Sequence, residues 1–133
     1  MLKLTRKAVI DFLDLTASQY DYWLLQLTSE NFDTHQLTLY QTFVLQLIKR
    51  LTQEYNLSAK LLKDLGLEEL LDTISSPQFI HHQLSQENQY LVVDFYLGCV
   101  HLMGPSNEGS HAHSGPVLDL RREWKLFDQQ IYF

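Results

Sequence analysis

Six histidines and one cysteine in a chain of 133 residues are the first groups to weigh as chemistry. His81-His82, Cys99 with His101, and His111-Ala112-His113 carry imidazole and thiol groups that suit Zn²⁺ or Ni²⁺. Phe79 to Leu84 is rich in apolar and aromatic residues and reads as extended chain. Neighbouring histidines on a strand point to opposite faces, so only one of His81 and His82 could join a common site. A single cysteine cannot supply a thiolate set, and the sequence predicts neither a metal centre nor a cofactor. Catalytic signatures are also missing. The sequence holds no Gly-rich phosphate loop, no nucleophile elbow and no His-Glu metal motif. Cys99 lies in an apolar run, where a thiol stays inert. No catalytic residue is expected, and the chain reads as a protein other than an enzyme.

The groups that remain suit a nucleic acid. Lys3, Arg6 and Lys7 place three cations near the start of the chain, and Thr5 among them is a helix cap. Thr16, Ala17, Ser18, Gln19 and Tyr22 follow within the next two turns' worth of sequence. Glutamine can pair with adenine through both amide atoms, and serine serves several bases or a phosphate. A helix starting at Thr16 would point its N-terminal dipole at a phosphate. Thr34, His35 and Gln36 would touch the DNA backbone or minor groove from a following loop.

Elements must hold these groups in place. Val9, Phe12 and Leu13 recur at helical spacing behind Thr5, and Tyr20, Trp23, Leu24 and Leu27 share a face behind Thr16. Two short helices joined by Asp14-Leu15-Thr16 form a helix-turn-helix. Residues 28–36 read as a loop or small wing. From Leu37 the apolar positions Tyr40, Val44, Leu47, Ile48, Leu51 and Tyr55 line one face of a long helix, with Asn56 suited to a left-handed C-terminal position. Ser58 caps a helix through Leu65 that Gly66 closes, and Leu67 to Ile74 forms another.

Ser75-Ser76-Pro77 is the strongest punctuation in the chain and the expected boundary between residues 1–75 and 76–133. Beyond it, Tyr90 to Met103 reads as one bent strand or two strands broken at Gly98. Gly104 to Pro116 reads as a loop. The last segment fits a helix through Leu120, Trp124, Phe127 and Ile131 with Asp119 as cap, although Leu118, Leu120, Trp124 and Leu126 also alternate as a strand would. The helix is the preferred reading. The fold class is therefore α+β: an N-terminal helical domain, then a small strand-containing part with a final helix.

The formal charge of −6 argues at first against a nucleic-acid partner. It is unevenly spread. Residues 1–63 carry seven Lys and Arg against six acids, and residues 64–133 carry three against ten, so the halves stand at +1 and −7. The acidity therefore does not describe what the first half binds. With 45% hydrophobic residues the chain can build a core. One cysteine suits a reducing compartment. No signal-peptide pattern and no apolar run of about 18 residues is present, which predicts a cytoplasmic protein with no membrane partner.

The order helix, turn, helix, wing, long helix, short helix resembles the DNA-binding domain of MerR-type transcriptional regulators. Leu15-Thr16 followed by Tyr20, Tyr22 and Trp23 looks like that family's second-helix pattern. Tyr40 with Leu45, Ile48 and Leu51 looks like its post-wing helix, and Asn56-Leu57-Ser58 with Leu61, Leu62 and Leu65 like its next turn and helix. The similarity covers roughly residues 3–66. Asp21 and Thr38 stand where the family usually has arginine, and the long dimerising coiled coil of many members is missing. The resemblance, which extends to the compact repressors found beside CRISPR-associated transposons, implies a winged helix-turn-helix repressor acting on double-stranded DNA. With so few cations, such a protein would bind as a homodimer. Trp124, Phe127, Ile131, Tyr132 and Phe133 are the expected dimer seam, and a small-molecule or metal effector is left open. The rival reading is a protein-interaction adaptor whose acidic C-terminal half docks a partner.

Overall fold

The computed structural model of the chain describes residues 2–105 and 115–131. It is an α+β fold of several helices and two small antiparallel sheets, closed by a helix. Strand β1 (Lys3–Thr5) runs directly into α1 (Arg6–Leu13), where the Thr5 hydroxyl accepts the Ala8 N–H at 3.2 Å. The helix stops at Asp14, which adopts the left-handed conformation (φ 54°, ψ 54°). There the Asp14 N–H donates to the Asp11 carbonyl (3.3 Å) and the Leu15 N–H to the Ile10 carbonyl (3.0 Å), the paired bonds of a Schellman motif. Helix α2 (Ala17–Leu27) begins immediately after, capped by Thr16. It buries Tyr20, Trp23, Leu24 and Leu27, the face its periodicity predicts.

Residues 28–35 form a loop that leads into β2 (Gln36–Thr38), which pairs antiparallel with β1 in the register Lys3↔Thr38, Leu4↔Leu37 and Thr5↔Gln36. A strand at the start of the chain is not visible in the sequence: three residues become a strand only because β2 lies beside them. Helix α3 (Leu39–Lys49) is capped by Thr38, whose hydroxyl accepts the Gln41 N–H while the Gln41 side chain accepts the Thr38 N–H. It continues into a π-helical segment, Arg50–Glu54. The changed period keeps Leu51 in the core and leaves Tyr55 exposed, so Tyr55 departs from the buried face on which a uniform helix would place it. Asn56 takes the expected left-handed conformation (φ 57°).

Helices α4 (Ala59–Asp64) and α5 (Leu67–Ile74) follow, separated by Gly66 at φ 86°. The expectation of extended chain from Phe79 to Leu84 is corrected: Phe79–Gln83 is π-helical and runs into the single-turn α6 (Leu84–Gln86). The reason lies in Ser76-Pro77. The Ser76 hydroxyl accepts the Phe79 N–H (3.1 Å), and proline suits the first position of a helix, so residues that punctuate the chain also start the next helix. Phe79, Ile80 and Leu84 face the core.

The second sheet has the order β4-β3-β5, with β3 (Tyr90–Asp94) paired antiparallel to both β4 (Cys99–Met103) and β5 (Val117–Asp119). The break at Gly98, one of the two readings open from sequence, is a hairpin turn. Gly98 takes φ 72° and donates to the Asp94 carbonyl, and the Asp94 carboxylate accepts the N–H groups of Tyr96 and Leu97. Leu91, Val92 and Val93 in the central strand are all buried, which is why that run shows no alternation. Gly115 lies so close to β3 that a Cβ there would stand 2.2 Å from the Val93 carbonyl oxygen. Helix α7 (Leu120–Ile131) settles the last segment as helical, with the Asp119 carboxylate accepting the Arg122 N–H at 3.1 Å.

One hydrophobic cluster extends from Val9 through α3 and β3 to Phe127, and so crosses residues 75–77. Helix α3 lies at its centre, in contact with β2, α5 and α7. Among the described residues no helix is long and apolar enough to cross a membrane.

Candidate nucleic-acid interface

The turn between α1 and α2 is short because each helix end is closed by its own residues. Asp14 and Leu15 finish α1, and Thr16 starts α2 through a full capping box: its hydroxyl accepts the Gln19 N–H (3.0 Å), and its own N–H donates to Gln19 Oε1 (2.9 Å). Ala17, Ser18 and Tyr22 are left on the solvent side. Gln19 is therefore not the free reader that its residue type suggests. Its amide oxygen is held by the cap, so pairing both amide atoms with adenine would first break that bond.

Arg6 also has a partner. Its guanidinium meets Asp21 with two bonds, Nε to Oδ1 at 3.3 Å and Nη2 to Oδ2 at 2.9 Å, and lies 5.4 Å from the centre of the Tyr20 ring. The hydrogen bond to Asp21 raises the Arg6 pKa further above its ordinary value. An arginine expected to meet phosphate is neutralised across the two helices, and Lys3 and Lys7 remain as exposed cations of the same region. Lys49, on α3, donates its ammonium to the Leu13 carbonyl at the end of α1. That charge fixes the packing of α1 on α3.

The loop residues come to the same place. Tyr20 is buried and its hydroxyl donates to the Thr34 carbonyl at 3.0 Å; burial pushes its phenol up to about 12, so it stays a neutral donor. The Arg6 N–H donates to the His35 carbonyl (3.0 Å), and Gln36 stands opposite Thr5 in the β1–β2 register. The structure thus brings Lys3, Thr5, Arg6 and Lys7 together with Thr34, His35 and Gln36, and links them to α2 through Tyr20 and Asp21. Asp21, which stands where the resemblance leads one to expect an arginine, is the partner of Arg6, a pairing between two helices that no local spacing signals.

The other sequence candidates disperse. Phe127 is 1% exposed and packs against Phe12 and Phe43 at centroid distances of 5.7 and 5.5 Å. Trp124 is half-buried, stacked on Tyr40 and edge-on to Phe43, and Ile131 rests against the core. These three face the chain's own core; Tyr132 and Phe133 lie outside the described residues. His81 and His82 sit in the π-helical segment and not on a strand, and the His81 ring bonds the Tyr40 hydroxyl at 2.7 Å. His101 stands 3.8 Å from the buried Asp94. His111 and His113 are outside the described residues. Among the described residues no three His, Cys, Asp or Glu side chains gather as metal ligands.

The chain matches no family model, no curated protein and no solved structure.

Proposed function

We propose that the chain is a DNA-binding transcriptional regulator, a repressor that occupies a promoter site as a homodimer. In this reading α1 and α2 are a helix-turn-helix, β1 and β2 serve as its wing, and α2 enters the major groove with Ala17, Ser18 and Tyr22 leading. The observation that carries it is the build of α2. A tight, doubly capped turn presents its N-terminal end to solvent while its opposite face is locked into the core. Lys3 and Lys7 would meet phosphates. The Arg6–Asp21 pair would have to open, or remain as a neutral strut, when DNA binds.

The test is fluorescence anisotropy with a pool of random DNA duplexes at low salt, followed by selection of preferred sequences. Lys7→Ala should weaken binding to all sequences alike, and Ser18→Ala should change the preferred ones. Asp21→Asn releases Arg6 and should both tighten binding and steepen its salt dependence by about one logarithmic unit for each added phosphate contact. No binding by the native chain or by Asp21→Asn would remove the proposal.

A second reading, an adaptor that docks another protein through α2 and not through the acidic C-terminal half expected from the sequence, is favoured by the Arg6–Asp21 pair and by Leu25. That leucine projects from the outer face of α2 at 76% exposure, beside Tyr22 at 48%. An α2 surface that holds a neutral ion pair beside exposed apolar groups also suits a protein partner. Capture of a defined protein by the native chain, lost on Leu25→Asp, would support it.

A further inference from the structure

We propose that the cleft between the Phe79–Gln86 helical stretch and α7 is a binding site for a flat aromatic carboxylate. The cleft opens widely to solvent and has a volume of about 400 Å³, within the range of small-molecule sites. Trp124 gives it an apolar wall, the core residues Ile80 and Leu84 lie at its floor with only 3% and 2% exposure, and His81, Ser85, Arg121 and Lys125 stand around it. No aspartate or glutamate lines it. That is notable in a half of the chain with ten acids and three cations, because two of those three cations are at this one cleft.

Each wall is fixed before any ligand arrives. Trp124 stacks on Tyr40 with rings 5.7 Å apart and 17° from parallel, and meets the edges of Phe43 and His81 at 5.2 and 6.0 Å. The Tyr40–His81 hydrogen bond closes that aromatic group. Arg121 is held by the Leu84 carbonyl, which accepts from both Nε (3.1 Å) and Nη2 (2.7 Å). Its Nη2 also reaches the Ser85 carbonyl at 3.4 Å, so the guanidinium ties α7 to the end of the Phe79–Gln86 stretch. Lys125 is exposed and forms no ion pair among the described residues. A planar apolar body can lie against the exposed part of Trp124 at little cost in ordering that ring, with its carboxylate towards Lys125 and Arg121. The site stands apart from the DNA reading and is tested without DNA.

The experiment is calorimetric titration of the full chain with cinnamate and with its neutral isostere cinnamamide. Saturable binding of cinnamate, with cinnamamide at least about tenfold weaker, is the expected result. Lys125→Glu should lower cinnamate affinity by about tenfold or more without changing the unfolding temperature, while the distant Lys60→Glu should leave it unchanged. Trp124→Leu should abolish binding of both compounds. Lack of saturable cinnamate binding, equal affinity for the amide, or an unaffected Lys125→Glu variant would each overturn the assignment.

Discussion

Glu123 is a carboxylate at 5% exposure that forms an ion pair with Arg50, its Oε1 2.9 Å from Arg50 Nη2. Burial raises its pKa above the ordinary value of 4.5, and Arg50 opposes the shift without cancelling it. The folded state therefore holds this proton more tightly than the unfolded chain does. The resulting stabilisation is complete below 4.5 and is lost as pH rises through the raised value. Measured against Glu123→Gln, which has no proton to lose, the native protein should become progressively less stable over that window. Denaturant titrations at a series of pH values check this, and a difference that does not change with pH would contradict it. Pairs of this kind mark the limit of what sequence can say about single residues. Glu123 sits on an amphipathic helix where a charge is expected in solvent, and Arg50 comes from a distant part of the chain. The same holds for Arg6 and Asp21, which meet from different helices and obey no local spacing rule. The candidate interface was legible as a set of residue types, whereas the pairing that neutralises Arg6 and occupies Gln19 was not.

Elements were legible where their ends carry chemical signals. Thr5, Thr16 and Ser58 are side-chain caps, and Gly66 and Asn56 take left-handed conformations, so the helices between them could be bounded from local sequence. The Phe79–Gln83 segment is helical against its apolar and aromatic composition, which speaks for extended chain, because Ser76 and Pro77 supply a helix start. Strand β1 has no signal of its own. At the α1–α2 turn, Asp14 adopts a left-handed conformation that an L-residue with a Cβ enters at a cost of about 1–2 kcal/mol. Asp14→Gly removes most of that strain and should stabilise the protein by about 1 kcal/mol. Thr16→Ala removes the capping box one turn on and should destabilise by about 0.5–2 kcal/mol. Thermal unfolding of the two variants should show midpoints displaced in opposite directions, and a fall for Asp14→Gly would show that the aspartate side chain supports the turn more than its backbone strains it.

The whole molecule is organised around α3 and one continuous cluster. Phe12 of α1 touches Phe127 of α7 edge-to-face, and both sit by Phe43 or its neighbours on α3. Truncating Phe127 to Ala should cost about 3–5 kcal/mol and should weaken both parts of the chain together. In a Trp124→Phe background, which leaves Trp23 of the N-terminal helices as the one tryptophan, its fluorescence and far-ultraviolet circular dichroism should follow a single unfolding curve with and without Phe127→Ala. Separate curves would mean that residues 1–75 keep a stability of their own. The sequence signals of two parts, opposite charge balance and changed composition at Ser75-Ser76-Pro77, describe surfaces and local conformation. Neither reports on burial, which is where the two parts meet. The Phe12–Phe127 contact also has a meaning for synthesis. Helix α1 leaves the ribosome before α7, so the apolar side of α1 lacks part of its cover until α7 has been made. The nascent chain thus carries this apolar side open to aggregation while the intervening elements are made, and a pause in translation before α7 would leave Phe12 and Phe43 without the ring that covers them.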